Sequence, residues 1–189
     1  MELIVLVSGS GTLLESMVQA SLPISKVVAD RECRGLQIAA SNGIAAELIA
    51  RESFDESFDR IAYSVRLAAA ARGAEDCVIA MAGFGTILGS PMFEEFDGRI
   101  INAHPALLPS FPGWHAVPDA LAYGVKVTGC TIHVATPAVD DGPILAQEAV
   151  SVLAGDDVGT LHQRIKVVER RLYVETLRGI LDRGWVLKP

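Results

Sequence analysis

Short runs that are apolar at every position, each cut off by a glycine-rich or polar turn, recur along this chain. Leu3-Ile4-Val5-Leu6-Val7 stops at Ser8-Gly9-Ser10-Gly11, and Cys77-Val78-Ile79-Ala80-Met81 stops at Ala82-Gly83-Phe84-Gly85. A strand with alternating polarity can leave one face in water. A strand apolar throughout must be covered on both faces, the condition of a parallel sheet flanked by helices. Thr12 then opens the helical segment LLESMVQA, and further strands are expected at Ser25–Ala29, Ala45–Ala50, Arg99–Asn102, Val127–Val134 and Ile144–Val152. Helical stretches fall between them near Leu36–Ser41, Asp55–Arg72, Pro91–Glu95 and Val117–Tyr123. A last helix carries Val158, Leu161, Ile165, Val168 and Leu172 on one stripe, with Asp156 or Asp157 as its N-cap and Gly184 as its stop. The alternation predicts an α/β fold: an open, mostly parallel twisted sheet with helices on both faces, one domain over residues 1–189.

A chain of 189 residues buries roughly 70% of its unfolded surface, so a core forms without staples. Sixteen Lys and Arg against 23 Asp and Glu leave a net charge of −7, a surface unsuited to nonspecific grip on nucleic acid. Cys33, Cys77 and Cys130 make no CxxC and cannot all pair within one chain, so they read as reduced thiols. No run reaches the length of a membrane span and no signal segment precedes Leu3, so a cytoplasmic protein is expected.

Ligands of such sheets bind beyond the carboxyl ends of the strands. Ser8–Thr12 lies there: its small residues let backbone N–H groups converge at a helix start, giving either a phosphate seat or a plain tight turn. Leu14 breaks the dinucleotide fingerprint and no Lys supplies a P-loop. Asn102 and His104 are one residue apart, so an extended backbone points both the same way, and Pro105 holds His104 near that geometry. Asn brings a fixed donor and His a proton exchangeable near neutrality. In Asp140-Asp141-Gly142-Pro143, one acid aimed at His104 would stabilise the imidazolium, and otherwise the pair is a solvated turn. Thr131 and His133 share a strand face that Cys130 does not, which sets Cys130 apart from a His133-assisted nucleophile. His104, His115, His133 and Asp140 lack the local spacing of a metal site, and no metal is expected.

Together the stretches VLVSGSGTLLES (5 to 16), AGFGTILG (82 to 89), INAHPALLPSFPG (101 to 113), GVKVTGCTIHVATPAVDDGPILAQ (124 to 147) and the late Glu169-Arg170-Arg171 are distinctive. On these residues the chain resembles the 10-formyltetrahydrofolate-dependent formyltransferases over essentially its whole length. The resemblance implies a Rossmann-like formyltransferase fold whose N-terminal half binds phosphate and whose C-terminal half binds folate and carries catalysis. It implies a catalytic Asn102, His104 and Asp140, and substrate contacts from Gly11, Thr12, Leu13 and Glu169. The wall for the folate is implied at Phe84, Gly85, Thr86, Ile87 and Leu88, with Asn102 and the segment Ala138, Val139, Asp140 closing over it. Leu13, Gly85, Thr86 and Pro137 depart from residues common at those places (Asn, Met, Arg and an acid).

The implied reaction moves a formyl group from 10-formyltetrahydrofolate to the amine of 5′-phosphoribosylglycinamide in purine biosynthesis, by a monomer or homodimer, with reduced folate as co-substrate and no metal, nucleic acid or membrane involved. A first strand beginning at residue 3 and a last helix near the end fit a free-standing enzyme of this kind. Three other readings stand beside it: a formyltetrahydrofolate hydrolase, an amino-sugar formyltransferase, and a phosphate- or nucleotide-sensing α/β protein in which His104 and Asp140 never meet.

Overall fold

Both apolar runs are inner strands of one sheet. The computed structural model describes residues 1–73 and 76–188. In chain order its elements are β1 (Glu2–Val7), α1 (Thr12–Gln19), β2 (Ile24–Ala29), α2 (Arg34–Ser41), β3 (Ala45–Leu48), α3 (Arg60–Ala70), β4 (Cys77–Met81), α4 (Ser90–Glu95), β5 (Ile100–His104), α5 (Ala116–Tyr123), β6 (Val127–Val134), β7 (Ile144–Ser151) and α6 (Val158–Arg183). The seven strands lie in the order β3-β2-β1-β4-β5-β6-β7. Strands β1 to β5 pair in parallel, while β6 and β7 run antiparallel. The chain winds outward from β1 to β3, then returns to place β4 on the other side of β1. That reversal opens a crevice at the carboxyl ends of β1 and β4, where open α/β sheets bind ligands.

Alternation along the strands sorts the core into two layers. Leu3, Val5 and Val7 join Leu14 and Met17 of α1, Ile38 of α2, Val117 of α5 and Leu161 to Ile180 of α6. Ile4 and Leu6 join Tyr63 and Leu67 of α3 and Met92 of α4 on the opposite face. Every residue of β1 from Leu3 to Val7 is buried, as two covered faces require. The edge strand β3 is exposed throughout and ends at Leu48, two residues short of the expected Ala50, because it has a neighbour on one side only.

Helix α3 starts at Arg60, not at Asp55. Asp55 Oδ1 accepts from the hydroxyls of Ser53 at 2.7 Å and Ser57 at 2.6 Å, and from the Ser57 N–H at 2.8 Å. These local bonds compete with a helical turn, so the helix begins where Asp59 can cap it by accepting from the Ala62 N–H at 2.9 Å. In α6 the cap is Asp157, whose side chain accepts from Thr160 N at 2.7 Å while Thr160 Oγ1 accepts from Asp157 N at 2.9 Å, a reciprocal capping box. Asp156 instead pairs with Arg164 at 2.8 Å. Gly184, left-handed at φ 77°, ends the helix. The three cysteines are free thiols, and among the described residues no helix is long and apolar enough to cross a membrane.

Candidate active site

Strand β5 carries Ile101 and Ala103 toward the α6 layer. Asn102 and His104, at the alternate positions, therefore point to the other face together. Antiparallel pairing with β6 sets Asn102 opposite His133 and His104 opposite Thr131. The imidazole of His104 is buried, 4% exposed. Its Nδ1 lies 3.2 Å from Asp140 Oδ2, and its Nε2–H donates to the Phe111 carbonyl at 2.7 Å. Both ring nitrogens thus face acceptor oxygens.

Asp140 reaches this position from the loop before β7, in left-handed backbone at φ 57°, a region Asp tolerates better than most residues. Its Oδ2 also accepts from the Gly113 N–H at 2.8 Å. Its Oδ1 lies 3.5 Å from His133 Nε2. Burial pushes the Asp140 carboxyl up, but the His133 and Gly113 hydrogen bonds and the charge at His104 outweigh it, and the group is held below the ordinary carboxylate range. His133 Nδ1 lies 3.1 Å from the Val134 carbonyl, and its Nε2 lies between Asn102 Nδ2 at 3.2 Å and Asp140 Oδ1. Asn102, His133, Asp140 and His104 thus form one linked chain.

Thr131 pins the loop that follows. Its hydroxyl donates to the Ala106 carbonyl at 2.6 Å and accepts from Leu108 N at 3.0 Å and Gln147 Nε2 at 2.9 Å. His133 and Thr131 were not foreseen as site residues. The signal for them is the β5–β6 register, which a single strand does not carry.

The glycine turn meets the start of α1 on the opposite layer. Gly11 caps the helix at φ 68°, and a Cβ there would come within 2.8 Å of Ile38 Cδ1 and 3.1 Å of the Gly35 backbone. The turn therefore needs glycine both for its backbone and for its contact with α2. Thr12 is the first residue of α1, whose first-turn N–H groups have no helical partners. Leu13 is buried in the core, so only its backbone faces the turn. Glu169 lies on α6, half-buried, one turn before Tyr173, whose hydroxyl donates to the Ile101 carbonyl at 2.7 Å beneath β5. Burial pushes the Glu169 carboxyl up to about 7, although Lys166 and Arg170 act the other way.

Beyond β4, Phe84 and Leu88 are buried in the α3–α4 layer while Ile87 is exposed. Gly85 N–H donates to Ser8 Oγ at 2.7 Å. Thr86 Oγ1 donates to Asp30 Oδ2 at 2.7 Å, so the Thr86 side chain is turned inward. Ala138 and Val139 are exposed on the loop that delivers Asp140, where Thr136 Oγ1 donates to the Ala138 carbonyl at 2.9 Å. His115 is exposed at the start of α5, and His162 sits half-buried on α6. Among the described residues no group of three or more His, Cys, Asp and Glu is disposed to hold a metal ion.

A doubly wound sheet with an amide donor, a carboxylate-bound imidazole and a glycine turn at its carboxyl edge defines an α/β enzyme built for proton transfer and anion stabilisation. Comparison with known proteins narrows the class. The family model described as Formyl transferase matches residues 1–177, and the chain belongs to that family. It is 46% identical over 187 residues to phosphoribosylglycinamide formyltransferase of Mycobacterium tuberculosis, covering 96% of this chain and 86% of that protein. It is 38% identical to the trifunctional purine biosynthetic protein adenosine-3 of Gallus gallus, covering 92% of this chain but 18% of that one. Among solved structures, phosphoribosylglycinamide formyltransferase from Bacillus halodurans superposes with a TM-score of 0.86 at 32% identity, covering 99% of this chain and 98% of that one.

Proposed function

We propose that this enzyme transfers the formyl group of 10-formyltetrahydrofolate to the amine of 5′-phosphoribosylglycinamide, a step of purine biosynthesis. The names and extents of its relatives support the reaction. The observation that carries it is the buried His104–Asp140 pair, 3.2 Å apart, beside Asn102.

The uncharged amine attacks the formyl carbon, a C–N bond forms, and negative charge gathers on the formyl oxygen. Donors aimed at that oxygen stabilise the transition state more than the ground state. Asn102 Nδ2 and the His104 Nε2–H are those donors, the latter exchanging the Phe111 carbonyl for the formyl oxygen. Asp140 holds His104 turned and charged through Nδ1. It also helps carry the amine proton, through water, to N10 as the C–N10 bond breaks. No bond to the protein forms at any stage. Gly11, Thr12 and the Leu13 backbone at the start of α1 hold the phosphate, Glu169 meets the amine, and Phe84, Gly85, Thr86, Ile87 and Leu88 with the Ala138–Asp140 loop enclose the pterin.

Formation of deformylated folate, followed by absorbance with and without phosphoribosylglycinamide, tests the proposal. Amine-dependent turnover is expected, and His104→Ala should lower kcat at least 100-fold, the scale of a lost acid–base group. Turnover that ignores the amine would assign a hydrolase instead. Ligand binding without turnover would assign a sensor.

A further inference from the structure

His104 and Asp140 are both engaged by one short stretch of the chain itself. The Phe111 carbonyl takes the His104 Nε2–H at 2.7 Å, and the Gly113 N–H donates to Asp140 Oδ2 at 2.8 Å. An acceptor and a donor, separated by one residue, thus occupy the two places the proposed reaction must fill. Those places belong to a formyl oxygen on the imidazole and to an amine, or its relay water, on the carboxylate. With both contacts made, His104 is 4% exposed.

The segment is held there against its own backbone preference. Phe111 stands at φ 55° and Gly113 at φ 90°. Glycine takes that conformation freely, but for a bulky residue it is an outlier. Among the described residues three non-glycine residues have positive φ, and two of them, Phe111 and Asp140, meet here. Such backbone persists only where surrounding contacts over-determine it. Besides the two hydrogen bonds, the fixing contact is the half-buried Phe111 ring, which meets Tyr123 edge-on at 67° with centroids 5.9 Å apart. Tyr123 closes α5 and is 81% exposed, so this clasp lies at the surface. The segment runs on into α5, whose Val117 and Leu121 share an apolar cluster with Leu161 and Ile165 of α6. Helix α6 carries Glu169. Residues 111–113 therefore connect the catalytic pair to the side proposed for the amine substrate.

We infer that Phe111 determines which acceptor receives the formyl group: its carbonyl withholds the His104 Nε2–H until the amine substrate draws the segment away through α5 and α6. The inference rests on the proposed function. With the folate alone bound, the formyl oxygen meets no free donor on His104, and water is kept from the formyl carbon. Attack by water would form a C–O bond, break C–N10 and pass a proton to N10, leaving formic acid and tetrahydrofolate. Tying assembly of the site to the correct substrate gives specificity of this kind.

The test follows tetrahydrofolate released from 10-formyltetrahydrofolate without phosphoribosylglycinamide, a reaction that should be slow beside transfer in the unaltered enzyme. Tyr123→Ala removes the clasp from the surface, and hydrolysis should rise about fivefold while kcat for transfer is retained. Phe111→Ala loses the same ring contact and keeps the unfavourable backbone, so its hydrolysis should rise at least as far. Phe111→Gly also lacks the ring but takes the left-handed backbone without cost, and should hydrolyse about fivefold more slowly than Phe111→Ala. Lost packing alone would not put glycine below alanine. Hydrolysis unchanged in Tyr123→Ala and Phe111→Ala, or at least as fast in Phe111→Gly as in Phe111→Ala, would overturn the inference while amine-dependent transfer stood. Absence of amine-dependent turnover in the unaltered enzyme would overturn the transferase reading and the inference with it.

Discussion

At Asp140 three groups meet: the carboxylate takes a bond from Gly113 N–H, faces His104 Nδ1 and lies near His133, all from left-handed backbone. Asn102, His104 and Asp140 were readable as a set because they stand in distinctive runs, and Asn102 and His104 share a face for a reason any strand obeys. His133 was not readable, since a lone histidine in an apolar strand looks like core until its partner across the ladder is known. Glu169 is the other informative residue. Its carboxyl, pushed up to about 7 by burial, is neutral below that pH and charged above it, so the hold on an amine proposed for it would strengthen as pH rises through neutrality. KM for phosphoribosylglycinamide should therefore fall between pH 6 and 8, following a single ionisation near pH 7. In Glu169→Gln that inflection should vanish and KM should stay high throughout, measured by initial rates at saturating folate. A variant that kept the inflection would move the titration to another group.

The elements divide into those that deliver chemistry and those that only hold the sheet, and two substitutions separate them. A Cβ at Gly142 would collide with the Val134 carbonyl and approach Thr136 Cγ2 at 3.0 Å. Gly142→Ala must shift the loop that carries Asp140, and small misplacements of catalytic groups are costly. We expect kcat to drop about 100-fold, with the thermal midpoint nearly unchanged because the loop contributes little to either core layer. Asp157→Ala removes the α6 cap and should cost about 1 kcal/mol, with kcat retained. Circular-dichroism melts beside steady-state rates distinguish the two patterns, and a Gly142→Ala enzyme with normal kcat would uncouple the loop from catalysis. Sequence periodicity located every one of these elements, but its edges were set by side-chain bonds. The Ser53–Asp55–Ser57 turn delays α3 to Arg60, and a helical stripe is blind to that kind of competition.

In the whole molecule the sheet acts as a partition. Helices α1 and α6, which carry Thr12 and Glu169, pack on one face of the sheet, whereas Phe84 and Leu88 lie in the α3–α4 layer and Asn102 and His104, alternating with Ile101 and Ala103, point to that side. That an α/β sheet would form was evident from the apolar runs. Which ligand approaches from which side was not, because it depends on the order in which strands are laid beside β1. On the proposed function, the phosphate-bearing substrate would be held on the α1–α6 side and the folate on the α3–α4 side, the two meeting over the carboxyl ends of β4 and β5. Inorganic phosphate, occupying the turn before α1, should compete with phosphoribosylglycinamide and fail to compete with the folate. Conversely, Leu88→Ala, which opens a cavity on the α4 side at a typical cost of about 2 to 3 kcal/mol, should raise KM for the folate and leave KM for the amine substrate unaltered. Initial-rate inhibition patterns for phosphate and paired KM values for the variant measure both halves. If phosphate competed with the folate, or Leu88→Ala moved both constants together, the two sites would share one side and the partition would have to be abandoned.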